Sequence, residues 1–259
     1  MSDKCEGCSK EIVNKVPIRR VIEKLDGYFS RNDLKSAGEL LEYWENEGRK
    51  LNDTIGTLEI LNEEIGFYRR VNDKEKGLAA VEEALKIIEN GRFLGSVSIG
   101  TIFVNCATTL KAFGFPEKAV ALYNKAESIY NMYSQVEDFK RAALYNNAAS
   151  SYSDLKVYDK AEAYYKKAIN ILEKTKENKG EIAVSYINLA HVYFGIDPCS
   201  EIVNKCLDTA WEYLTAEGIV KDGNYAFVCS KCAPSYGYFG QFVREEFLKW
   251  EADTVYEGN

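Results

Sequence analysis

The chain has 259 residues, of which 46% are hydrophobic and 28% are charged, and its formal net charge is −7. Nucleic-acid binders usually carry a basic stripe that neutralises phosphates. This acidic chain has no such stripe, so we expect no nucleic-acid partner. No apolar run approaches the roughly 18 residues of a membrane span, and the polar start of the chain does not resemble a signal peptide. With seven cysteines and no export signal, reduced thiols and a cytoplasmic location are predicted.

Helices are predicted along almost the whole chain, because apolar residues recur at steps of three and four and only 4 prolines interrupt them. Residues 1–15 are predicted to be a disordered tail and residues 16–257 a single all-α repeat domain, since no linker longer than a turn separates the segments. The predicted helix pairs are, in chain order, 16–29 with 33–50, 54–71 with 74–90, 96–113 with 116–133, 137–155 with 158–175, 180–195 with 199–217, and 222–238 with 240–256.

Internal repetition is the strongest signal in the sequence. Three sets of residues recur at steps of 41 or 42: Ala84, Ala126, Ala168 and Ala210; Tyr68, Leu110, Tyr152 and Tyr193; and Asn105, Asn147 and Asn188. Two helices that pack as a hairpin need small residues where their axes come closest. Ala149 and Ala161 are predicted to supply that contact, and stacking of five or six hairpins is predicted to bury a continuous core.

The segment NNAASSYSDLKVYDKAEAYYKKAINILEK, from Asn146 onward, resembles the tetratricopeptide repeat. Asn147, Ala149, Tyr152, Ala161 and Ala168 follow the order of the family pattern. The long period is similar to the 42-residue repeats of kinesin light chains and of bacterial peptide-sensing regulators. The resemblance implies a right-handed superhelix, or α-solenoid, whose first helices line a concave groove that binds a peptide or a partner's helix. It also implies that the chain is not an enzyme.

The repeated asparagines are the first candidate site. Asn105, Asn147 and Asn188 occupy one position on successive first helices; Asn146 adjoins Asn147, and Asn62 corresponds to Asn146. Side-chain amides donate and accept hydrogen bonds, so a row of them can bind a peptide backbone of any sequence. The alternative is that these amides brace neighbouring helices.

Two further kinds of residue are assigned to the same groove. Arg69 and Lys111 each follow the repeat position of Tyr68 and Leu110, and they are candidates for recognising an acidic group; ordinary solvated charge is the alternative. His191, the only histidine, follows Asn188 by three residues and shares its helix face. No catalytic constellation accompanies His191, and a packed or solvated histidine is the simpler interpretation.

The cysteine pairs Cys5–Cys8 and Cys229–Cys232 have the internal spacing of zinc ligands, and they keep a metalloprotein open as a hypothesis. About 220 residues separate them, however, so we expect no metal and no cofactor. The second pair is predicted to lie in the helical core.

The last segment is rich in aromatic residues, including Tyr236, Tyr238, Phe239, Phe242, Phe247 and Trp250. Pro234 is predicted to kink or end the helix before them. These aromatic residues either seal the final hairpin or form a surface for self-association or a partner. If they are exposed, a homodimer is expected.

The leading functional prediction is a non-catalytic adaptor that binds a protein or peptide segment in its groove. A self-assembling structural or regulatory protein with an aromatic C-terminal interface is the alternative. A peptide-sensing regulator is a further alternative, but the first repeat begins near residue 17, which leaves no room for an effector domain before it.

Overall fold

The computed structural model describes residues 14–91, 95–174 and 179–258, and every regular element in those ranges is an α-helix. The helices follow one another along the chain with short connections between them. Their bounds are α1 Ile18–Ser30, α2 Leu34–Lys50, α3 Thr54–Arg70, α4 Lys74–Gly91, α5 Val97–Ala112, α6 Pro116–Asn131, α7 Asp138–Asp154, α8 Tyr158–Leu172, α9 Lys179–Ile196, α10 Glu201–Leu214, α11 Gly223–Tyr238 and α12 Phe242–Glu257. Each predicted helix is present, and each predicted end lies within three residues of the observed one.

The chain divides into two compact units, unit 1 from Met1–Phe113 and unit 2 from Gly114–Asn259. Unit 1 contains α1 to α5 and unit 2 contains α6 to α12. In both units the first helices of successive pairs pack side by side, α3 against α1 and α5, and α9 against α7 and α11. The fold class is therefore all-α, an α-solenoid of stacked helix pairs, as the repeat predicts. The single domain over 16–257 stays a prediction, and the predicted tail lies almost entirely outside the described residues.

The turns of unit 1 repeat one sequence device that the period of 42 does not reveal. Asn32, Asn52 and Asn72 each adopt a left-handed backbone, with φ of 54°, 55° and 58°. Asparagine tolerates this conformation better than most residues. The aspartate after each asparagine caps the next helix: Asp33 accepts from the Ser36 N–H, Asp53 from the Gly56 N–H and Asp73 from the Lys76 N–H. One Asn-Asp pair thus ends a helix and starts the next.

The α7–α8 hairpin of unit 2 shows why its sequence alternates small and aromatic residues. Ala149 and Ala161 are completely buried, which confirms their prediction as core residues. Tyr152 and Tyr165 are 5% and 2% exposed and belong to the same core cluster. The alanines of the 42-residue register, Ala84, Ala126, Ala168 and Ala210, are also all completely buried. The period therefore records a core position on the second helices α4, α6, α8 and α10.

Two breaks in the helical pattern behave differently. Gly114 leaves α5 with φ of +90°, a conformation that favours glycine, and Pro116 begins α6. Pro234, by contrast, lies inside α11, which continues for four residues to Tyr238. Of the two predicted effects of Pro234, a kink or an end of the helix, the end is wrong, and the kink stays a prediction. Burial of its neighbours Ala233 and Tyr236 holds the helix together across the proline.

Hydropathy along these helices bears on membranes as well. Within the described ranges, no helix is both long enough and apolar enough to cross a bilayer.

Candidate functional site

The candidate site residues lie on the first helices of the pairs, where the repeat pattern places them. Asn62 and Arg69 are on α3, and Asn105 and Lys111 are on α5, all in unit 1. Asn146 and Asn147 are on α7, and Asn188 and His191 are on α9, all in unit 2. Each unit therefore carries its own set of candidate residues.

In unit 1 the two asparagines bond to each other. The Asn105 amide donates to the Asn62 side-chain oxygen at 2.8 Å, and the Asn62 amide donates to the Glu63 carboxylate at 3.2 Å. Both asparagines are half-buried. The pair joins α3 to α5, so here the amides do brace neighbouring helices.

The two basic side chains predicted for this site, Arg69 and Lys111, are only partly available to a ligand. The Arg69 guanidinium donates to the Thr109 hydroxyl at 3.0 Å, and this buried hydroxyl donates to the Ile65 carbonyl at 3.3 Å. Arg69 is thus a second brace between α3 and α5. Lys111 is half-buried on α5.

Acidic residues, which sequence reasoning missed, surround Asn62 instead. Glu59 and Glu63 line a cleft of about 240 Å³ between α1, α3 and α5, together with Ile18, Ile22, Asn62, Ser98, Thr101 and Ile102. Burial raises the pKa of both carboxyl groups, and for Glu63 the nearby charges of Asp26 and Glu59 raise it further. Glu63 precedes Asn105 by 42 residues, so the repeat period in the sequence already placed Glu63 at a candidate position.

In unit 2 the asparagines divide into two kinds. The side-chain oxygen of Asn146 accepts from the Ser185 hydroxyl at 3.0 Å, which joins α7 to α9. Asn147 and Asn188 are half-buried, and among the described residues their side-chain amides have no hydrogen-bond partner. Ser185 and Asn188 are three residues apart and share a face of α9. The unengaged amide of Asn188 therefore lies beside the Asn146–Ser185 bond, and Asn147 adjoins Asn146 in sequence.

His191 packs against the next first helix. Its Nε2 lies 3.0 Å from the Ser235 hydroxyl, and its ring lies 4.7 Å from the Phe239 ring and 5.3 Å from the Tyr238 ring. Burial lowers the pKa of His191, so the neutral ring is favoured at neutral pH. This is the packed histidine of the simpler interpretation.

The second cysteine pair lies in the core of unit 2, as its helical spacing indicates. Cys229 and Cys232 are 0% and 1% exposed, and burial raises their thiol pKa values to about 11 and about 12. Such thiols stay protonated at neutral pH and are poor nucleophiles. Cys5 and Cys8 lie outside the described residues.

The terminal aromatic residues divide between core and surface. Tyr236 is completely buried and its hydroxyl donates to the Leu207 carbonyl at 2.9 Å, so it seals the last pairs. Phe239 is half-buried. Tyr238, Phe242 and Trp250 are exposed by 63%, 65% and 60%, and Phe247 is partly exposed. The exposed members, together with Val243, are called the terminal aromatic surface below.

Stacked antiparallel helix pairs with repeated alanines and asparagines define a helical-repeat protein. Residues 140–198, which span α7 and α9, match the tetratricopeptide repeat family model. This match confirms, for that segment, the resemblance seen in the sequence. A search of curated proteins finds no match.

Several solved structures share the fold at low sequence identity. BtubC (BKLC) from P. vanneervenii has a TM-score of 0.61 and 20% identity, over 87% of this chain and 91% of that chain. A putative kinesin light chain from Podospora anserina has a TM-score of 0.55 and 16% identity, over 75% and 92%. NprR in complex with its cognate peptide NprX has a TM-score of 0.58 and 12% identity, over 89% and 64%. The similarity to both kinds of repeat protein is as predicted.

Proposed function

We propose that this chain is a non-catalytic scaffold that binds an extended peptide or protein segment on its first helices. The observation that carries this proposal is the pair of half-buried amides, Asn147 and Asn188, without a partner among the described residues. They occupy equivalent positions on α7 and α9. Each offers donors and an acceptor to a peptide backbone. Because packed helices hold these groups in place, little order has to be gained on their side when the ligand binds.

The cleft of unit 1, taken by itself, indicates which side chains a peptide bound there would carry. Glu59 and Glu63 supply acidic groups, and Ile18, Ile22 and Ile102 supply apolar walls. A basic side chain with an aliphatic stem, lysine or arginine, satisfies both features. Arg69 and Lys111 do not line this cleft, and the prediction of an acidic ligand group beside them stays a prediction.

A selection of phage-displayed peptides on the wild-type protein, followed by calorimetry, tests this function. The double variant Asn147→Ala/Asn188→Ala should bind a selected peptide about thirtyfold more weakly, because it loses two hydrogen bonds worth about 1 kcal/mol each. Asn170→Ala/Asn204→Ala is the matched control, since these exposed asparagines lie on α8 and α10. Equal affinity in both double variants, or the absence of any selected peptide, contradicts the proposal.

The terminal aromatic surface favours a second candidate function, self-association of two copies of this chain. Val243 is 86% exposed beside Phe242, and Trp250 lies two turns further along α12. An exposed apolar surface of this kind marks an interaction site, and in a two-fold dimer the same surface of both copies meets itself. Light scattering should show a concentration-dependent dimer that Val243→Asp/Trp250→Asp abolishes and that Tyr43→Ser, on unit 1, leaves intact. A wild-type monomer at all concentrations excludes this candidate.

The cytoplasmic location stays a prediction from the sequence.

A further inference from the structure

A second cavity in unit 1 lies between α2, α3 and α4, away from the cleft that Asn62 lines. It has a volume of about 470 Å³, within the range of small-molecule sites. Polar side chains make up most of its lining, in contrast to a defect in an apolar core. The lining residues are Glu42, Glu45, Asn46, Arg49, Leu61, Glu64, Tyr68, Lys76, Ala79, Ala80 and Glu83.

Glu64 is the unusual member of this lining. Its side chain belongs to a residue that is only 3% exposed, and its Oε1 has no hydrogen-bond partner within the described part of the chain. A buried polar atom without a partner is costly and rare in folded proteins. The Glu64 side chain lines a cavity large enough for a ligand, so a small rotation of its carboxyl group would bring this buried atom to a donor from outside the chain.

The repeat gives no packing reason for a carboxylate at this position. Residues 42, 84 and 125 positions after Glu64 are Cys106, Ala148 and Leu189, and they are 0%, 0% and 3% exposed. The corresponding position in the later first helices is thus an apolar core site. Glu64 is the exception to this pattern, and its side chain lines the cavity.

The charges around Glu64 decide which ligand suits it. Arg49 is already paired with Glu45 at 2.7 Å and with Glu83 at 3.2 Å. Lys76 is paired with Glu42 at 2.6 Å, and its ammonium lies 5.5 Å from the centre of the Tyr68 ring. Four carboxyl groups therefore face two cations that are both engaged. An anionic ligand finds no unpaired cation in this lining, whereas a positively charged donor adds to an acidic site.

A metal ion does not fit this lining, because the described residues contain no group of three or more ligand side chains arranged to hold one. A primary ammonium group has no such requirement. It carries three N–H donors and one positive charge, and it can reach Glu64 Oε1 on the end of a flexible chain.

We propose that this cavity binds a primary ammonium group, carried by a small alkylamine or by a lysine side chain, with Glu64 Oε1 as its central acceptor. Glu42 and Glu45 on α2 and Glu83 on α4 keep the entrance acidic. The site is separate from the peptide-binding surface, and its occupancy does not depend on the proposed scaffold function.

Proton release is a measurable consequence of this binding. Burial, and secondarily the charges of Glu45 and Glu42, raise the pKa of Glu64 to about 8, while Arg49 and Lys76 oppose the rise. Near pH 7 the carboxyl group is therefore mostly protonated. An ammonium group placed against it favours the carboxylate form, so binding should release a proton to the buffer.

Calorimetry of the full chain with 1,5-diaminopentane at pH 7 tests the proposal, in two buffers of different ionisation enthalpy. We expect saturable binding with release of part of a proton, and at least tenfold weaker binding of the neutral isostere 1,5-pentanediol. Glu64→Gln should weaken diamine binding at least tenfold and remove the buffer dependence. Glu82→Gln, an exposed glutamate on α4, should change neither.

A second arm separates the two sources of the ammonium group, and amide chemical shifts of the wild type keep the result independent of variant folding. Nα-acetyl-lysine methylamide should bind as tightly as the diamine if a lysine side chain is the natural ligand, and more weakly if a free amine is. Shifts confined to α2, α3 and α4 support the site. Equal binding of diol and diamine, unchanged binding by Glu64→Gln, or no shifts in these helices at roughly 10 mM amine overturns it.

Discussion

Helices α3 and α7 are equivalent elements of two repeats, yet they differ at two adjacent positions. On α7 these positions hold Asn147, with its amide unengaged among the described residues, and Ala148, which is completely buried. On α3 they hold Glu63, which lines the cleft of unit 1, and Glu64, which lines the second cavity. The backbone is helical at both places. The repeat thus fixes where a side chain lies, while the residue type decides what can bind at that position.

The largest expected effect comes from placing a glutamate on α7 at the position that is equivalent to Glu64 on α3. Ala148→Glu should cost at least about 3 kcal/mol of unfolding free energy, because it buries a carboxyl group at a site that is completely filled. Urea unfolding followed by circular dichroism measures the loss. Ala163→Glu, at an exposed position of α8, should stay within about 0.5 kcal/mol of the wild type. Equal losses of unfolding free energy in both variants would contradict the assignment of position 148 as a filled core site.

The second expected effect, which is smaller over any single pH unit, follows from the proton on Glu64. Its pKa rises from the usual 4.5 to about 8 on folding, so between these pH values the folded chain binds more protons than the unfolded chain. Stability should therefore fall as pH rises through this window, by at most about 1.4 kcal/mol per pH unit, and this contribution should level off about one pH unit above the folded-state pKa.

Glu64→Gln isolates this contribution. The difference in unfolding free energy between Glu64→Gln and the wild type should shift in favour of the variant from pH 5 to pH 8, as urea titrations at several pH values can measure. Glu82→Gln should follow the wild type throughout. A Glu64→Gln variant that tracks the wild type at every pH would show that Glu64 ionises normally.

The smallest effect distinguishes engaged from unengaged asparagines. Asn105→Ala removes the hydrogen bond to Asn62 and should cost about 1 kcal/mol. Asn147→Ala removes no hydrogen bond among the described residues and should cost less than about 0.5 kcal/mol. Thermal unfolding of the two variants side by side measures the difference. A greater loss for Asn147→Ala would assign it a structural role and weaken the proposed binding surface.

The helices could be predicted from the sequence because their signal is local. Apolar residues at steps of three and four mark a helix wherever they occur, and the largest errors lie at two C-terminal ends, 158–175 for Tyr158–Leu172 and 199–217 for Glu201–Leu214. There the polar residues continue a helical composition beyond the last buried leucine. The repeat register also placed the candidate asparagines correctly on first helices.

The state of each candidate side chain could not be predicted in this way. Whether Asn105 bonds to Asn62 or faces a ligand depends on the spacing and rotamers of two helices 43 residues apart in sequence. The same is true of His191 and Ser235. Glu64 could have been found earlier, since comparison with Cys106 and Ala148 shows an acid where the repeat places core residues. Its missing partner, however, is visible only in three dimensions.

The local pattern of helix contacts in unit 2 has a consequence for the order of folding. Each of α7, α9 and α11 makes its most extensive contacts with the helix that follows it directly in the chain. Chains dominated by such contacts have low contact order and fold rapidly, and during synthesis a completed segment can fold before the next has been made. The α7–α8 hairpin, with Ala149 against the next helix, can therefore form on the ribosome and offer a template to α9 as soon as that helix emerges.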